Sequence, residues 1–118
     1  MNYQHILIIC ACPDEATAAG IADALVTERL AACVNRIAAV RSTYEWQGRV
    51  EDEPEVLLFI KTTVARFAET EMRVKAMHPY EVPEIIALPV VGGSGDYLAW
   101  LAHQTSDAGQ QSGRAPEL

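Results

Sequence analysis

The 118-residue chain reads as one α+β domain in the order β-α-β-β-α-β, followed by a short C-terminal helix. Three observations predict this. A short Ile-rich apolar run near the start gives way to helical periodicity. Two β-favouring stretches of about 14 residues flank a Gln-Gly pair. A second helical pattern stops at a proline and is followed by a proline-flanked apolar run.

HILIICAC, residues 5–12, is too short for a helix and reads as a strand buried on both faces. Helix 14–31 follows, with Asp14 as N-cap and Glu15 in the first turn. Its Ala18, Ile21, Ala22, Leu25, Val26 and Leu30 share one side, with Arg29 the only intruder. A hairpin is expected next, strands 33–46 and 49–62, turning at Gln47-Gly48. Pro54 cannot donate to a ladder, so an edge or bulge is expected there.

Residues 63–78 read as a helix with Thr63 as N-cap, stopped by Pro79. Val64, Phe67, Val74 and Met77 share its apolar face, and Glu71 interrupts that face. The run 82–91 reads as an edge strand and GGSG, 92–95, as a turn. Residues 96–104 form a helix capped by Asp96, with Leu98, Leu101 and Ala102 inward. The domain thus covers 1–104, and the polar segment 105–118 reads as a disordered tail. The element order is that of a ferredoxin-like sandwich.

Composition narrows the function. The formal net charge of -7 and nine scattered basic residues argue against nucleic acid as a partner. No apolar run approaches the ~18 residues of a membrane span. No basic region precedes the first apolar stretch, so a cytoplasmic location is expected. Three cysteines without a secretory signal do not suggest a disulfide framework, and Cys33 reads as a small buried hydrophobe. Hairpin strands of this length exceed what one small sheet can cover, and their tip carries Tyr44 and Trp46. A homo-oligomer with hairpins reaching across subunits is expected.

No hydrolase, zincin or P-loop motif is present, so a non-enzymatic protein is expected. Lys61, Tyr80, Glu81, Glu84, Tyr97 and Trp100 are cleft candidates that specify no reaction. Cys10 and Cys12 share a strand face near its C-terminal end, about 7 Å apart along the backbone. Core packing and metal ligation both remain open for them. His78 suits a helix stop first; the alternative is an imidazole ligand that with a thiolate and the Met77 thioether would select a soft ion such as Cu(I). Glu51, Glu53 and Glu55 share a strand face, where they keep an edge soluble or hold a hard ion.

LAACVN (30–35), STYEWQGRVE (42–51), FIKTT (59–63), HPYEVPEI (78–85) and DYLAWL (96–101) together resemble the signature segments of the CutA divalent-cation tolerance proteins. The resemblance implies a homotrimer with wound hairpins and a link to tolerance of copper and other divalent cations. It also implies a copper site on a first-strand Cys and two consecutive His. Cys10 matches that Cys, His78 matches the second His, and Met77 stands where the first His would be. The fold further resembles trimeric PII-type signalling proteins, which offers a second reading. In it the chain is a sensor binding a small effector between subunits, using residues such as Lys61 and Glu84.

Overall fold

In the computed structural model, which describes residues 3–107, alternation along the first apolar run resolves into strand β1 (His5–Cys12). Ile6, Ile8, Cys10 and Cys12 point to one face and are buried, while Leu7 and Ile9 point to the other and are only half-buried. Burial on both faces was expected; within one chain only one face of the strand is fully covered. β2 (Cys33–Trp46), β3 (Arg49–Thr63) and β4 (Ile85–Pro89) complete an antiparallel sheet ordered β2-β3-β1-β4. Helices α1 (Glu15–Thr27) and α2 (Phe67–Met77) each link two parallel strands that have one antiparallel strand between them. This is the split βαβ arrangement.

The core lies between the sheet and α1 with α2. Ile8, Leu58 and Ile60 meet Ala18, Ile21, Leu25 and Val74 there. Each such large side chain contributes about 1.5–3 kcal/mol on burial. Asp14 caps α1 as expected, accepting from Thr17 N at 2.8 Å. The helix ends at Thr27, not 31, because Arg29 adopts φ 59. Leu30 N then donates to Leu25 O and Arg29 N to Val26 O, the paired bonds of a Schellman motif. Val26 is 43% exposed, outside the inward face expected of it.

The hairpin follows its expected boundaries within one residue and turns at Gln47 and Gly48, both at positive φ (51 and 80). That is the two-residue turn whose twist matches paired strands. β1 pairs with β3 only over Val56–Thr63, so residues 40–55 project as a two-stranded arm. Pro54 sits in this arm, where β3 has no second neighbour. The irregularity lies on the facing strand, between Ile37 and Val40, with Ala39 at φ 63.

The expected helix 63–78 begins as a 3-10 turn, Val64–Arg66, before α2. Thr63 makes no side-chain cap, and Val64 is exposed. Glu71 pairs with Lys75 at 3.3 Å, one helical turn away, which accounts for a carboxylate on that face. β4 is an edge strand as expected, though shorter than 82–91. α3 (Gly95–Gln104) is capped by Ser94 Oγ, which accepts from Tyr97 N, and Asp96 lies in its first turn. Thr105 is buried against the end of α3; residues 108–118 of the expected tail lie outside the described residues.

Candidate metal centre

β1 brings two thiols to one point because residues i and i+2 of a strand face the same way. Cys10 is fixed from both sides, opposite Leu58 of β3 and Ile85 of β4, and Cys12 lies opposite Val56. Both are inaccessible to solvent. The third group arrives from the end of α2. Pro79 forces His78 out of helical geometry, to φ -80 and ψ 135, while the His78 N–H still bonds Val74 O at 2.9 Å. The imidazole therefore turns away from the helix and onto β1.

Two hydrogen bonds hold that ring. Tyr80 N–H donates to His78 Nδ1 at 3.1 Å. A backbone N–H can only donate, so Nδ1 carries the lone pair and Nε2 the proton. Nε2–H donates to Ala11 O at 2.7 Å. β4 pairing ends one residue earlier, at Cys10↔Ile85, so the imidazole serves a carbonyl that has no β4 partner. His78 is 7% exposed. It is thus a helix stop and also a brace between α2 and β1.

Ligand atoms of Cys10, Cys12 and His78 all lie within 4.8 Å of one another. Among the described residues this is the group of Cys, His, Asp and Glu whose ligand atoms converge in this way. The hydrogen bond to Cys12, with burial, pushes the Cys10 thiol far above its ordinary value, and Glu84 and Glu55 add to this. Accepting that bond pulls Cys12 below its ordinary value, against burial and the Glu55 charge. The same two carboxylates make the pocket favourable for a cation.

Glu55 differs from its expected role. It is 7% exposed rather than a solvating edge residue, and it accepts from Tyr80 Oη at 2.9 Å. Burial, then this bond, pushes the Tyr80 phenol up. Glu51 and Glu53 do not join it in a carboxylate cluster. Met77 is half-buried against the core, and Cys33 is half-buried rather than buried. Beside the centre opens a cleft of about 680 Å³ bordered by Ala11, Glu55, Tyr80, Glu81 and Glu84. Of the other cleft candidates, Lys61 lies elsewhere, 5.7 Å from the Tyr97 ring, and Tyr97 stacks at a tilt on Trp100. Sequence reading left Cys12 undecided and missed the Tyr80 amide; strand parity signalled the first, and nothing local signalled the second.

The family model described as CutA1 divalent ion tolerance protein matches residues 6–104. The Divalent-cation tolerance protein CutA of Thermus thermophilus is 50% identical over 99 residues, covering 84% of this chain and 96% of its own. A solved structure of the Thermus thermophilus Cut A1 protein superposes with a TM-score of 0.85, at 48% identity, over 86% of this chain and 99% of that one. A structure described as the periplasmic divalent cation tolerance protein CutA from Archaeoglobus fulgidus superposes at 0.84 and 35% identity, over 86% and 99%.

Proposed function

The chain belongs to the CutA1 divalent ion tolerance family, and from that premise we propose that it binds copper or another divalent metal ion through Cys10 and His78. It acts as a non-enzymatic homotrimer in the cytoplasm. The observation that carries the metal reading is that the Cys10 thiol and the His78 imidazole are both buried and offer ligand atoms within 4.8 Å of each other.

The donor set fits such an ion. Thiolate and imidazole favour copper and zinc over magnesium or calcium. A ligating His commonly donates its other ring N–H to a backbone carbonyl, and the Nε2–H to Ala11 O bond supplies that support. Ligation at Nδ1 keeps that bond and gives up the one from Tyr80 N–H, whereas ligation at Nε2 gives up the one to Ala11 O. The Cys10 thiol must lose its proton to ligate, so binding releases a proton and weakens as pH falls.

Assembly is supported by what one chain leaves uncovered. The sheet face away from α1 and α2 exposes Ile37, Ile86 and Leu88, and the arm exposes Tyr44 (41%) and Trp46 (44%). These are groups that an interface between chains would bury. Free thiols at Cys10, Cys12 and Cys33 suit a reducing compartment; cell fractionation tests that placement. The effector reading draws on Glu84 at the 680 Å³ cleft, with Lys61 beside Tyr97 as its second candidate between subunits.

Chelator competition for Cu(I) and Cu(II) on wild type, Cys10→Ala and His78→Ala tests the metal site. Affinity is expected to drop in both variants. Equal affinity in all three removes the metal reading, and a thermal shift with metabolites but not metals favours the effector reading.

A further inference from the structure

We propose that Cys12 is a ligand of the same centre, so that the ion is held by two thiolates and one imidazole. This rests on the metal-binding reading above and extends it to a residue that reading leaves out.

Three observations support a third ligand. The first is spacing. Metal–sulfur distances of about 2.3 Å and metal–nitrogen distances of about 2.0–2.1 Å place three donors around one ion roughly 3.6–4.0 Å from each other. The three donors already lie within 4.8 Å, so an ion draws them in by no more than about 1 Å. The second is preorganisation. Cys10 and Cys12 occupy one face of a strand paired with β3 along its whole length, which holds the two sulfurs side by side.

The third is burial. Neither thiol reaches solvent, and a charged group there needs a partner charge. An ion between two thiolates supplies it. Two thiolates and an imidazole take a thiophilic ion, Cu(I) or Zn²⁺, in preference to Mg²⁺, Ca²⁺ or Mn²⁺.

The test loads the full-length protein with Cu(I) under reducing, anaerobic conditions. X-ray absorption counts sulfur donors per copper, and chelator competition gives affinity. Wild type is expected to show two sulfurs and Cys12→Ala one. Loss of a supporting outer-shell group costs about 10–100-fold in affinity, so loss of Cys12 itself is expected to exceed about 100-fold. One sulfur in wild type, with Cys12→Ala binding equally well and Cys10→Ala not binding, overturns the proposal and leaves the Cys10–His78 site standing. A wild type that takes up no copper ends both.

A variant-free arm covers the case in which Cys12→Ala does not fold. Alkylation rates of the wild-type thiols are compared with and without Cu(I), with the half-buried Cys33 as internal reference. Copper is expected to slow both Cys10 and Cys12. Slowing of Cys10 alone contradicts the proposal.

Discussion

At the scale of single residues, the loop after α2 does two jobs through neighbouring side chains. His78 closes against Ala11 O, and Tyr80 closes against the buried Glu55 carboxylate. Removing the phenol leaves that carboxylate without its donor. A hydrogen bond to a charged group contributes about 1.5–3 kcal/mol, so Tyr80→Phe is expected to lose stability of that order in denaturant titrations at neutral pH. The phenol is pushed above its ordinary 10.0. A raised value means its contribution is complete below pH 10 and is lost as pH rises beyond it. Wild-type stability is therefore expected to fall above pH 10, and the fall to be smaller in Tyr80→Phe. For metal, the sign is opposite: the raised Cys10 thiol holds its proton, so Cu(I) affinity is expected to climb with pH in chelator competition. Strand parity and the helix-stopping proline made the Cys10–Cys12–His78 grouping partly legible in the sequence. The engaged lone pair of His78 was not, because it depends on where the Tyr80 amide points after Pro79.

At the scale of elements, strongly periodic segments were legible and their ends were not. The hairpin boundaries follow from two long β-favouring runs about a Gln-Gly turn. The end of α1 depends instead on Arg29 at φ 59, a conformation that side-chain type does not announce. Ser94 and Asp96 are both capping residues two positions apart, and only the path of the chain selects Ser94. Two measurements probe these elements. Asp14→Ala is expected to cost about 1 kcal/mol through loss of the bond from Thr17 N. Ala39→Val places a branched side chain at φ 63 in the β2 bulge and is expected to cost about 1–3 kcal/mol. Equal midpoints for Ala39→Val and wild type in a denaturant titration contradict the bulge as described.

At the scale of the whole molecule, one chain is incomplete as a hydrophobic object. Its arm projects past β1, and the sheet face opposite the helices keeps apolar side chains wet. Neighbouring copies cover both in the proposed trimer, and Trp46→Ala is expected to weaken assembly in light scattering. The length of the hairpin signalled this in the sequence; which surfaces meet did not show there, because shape complementarity between copies is not a local property. The central claim is one soft ion per subunit at the Cys10–His78 centre of a trimer. Native mass spectrometry of the full-length protein with excess Cu(I) tests it most directly. The account predicts a species of three times 12.9 kDa carrying three copper ions, and none on Cys10→Ala. A stable monomer, or a trimer that stays metal-free at copper excess, contradicts it.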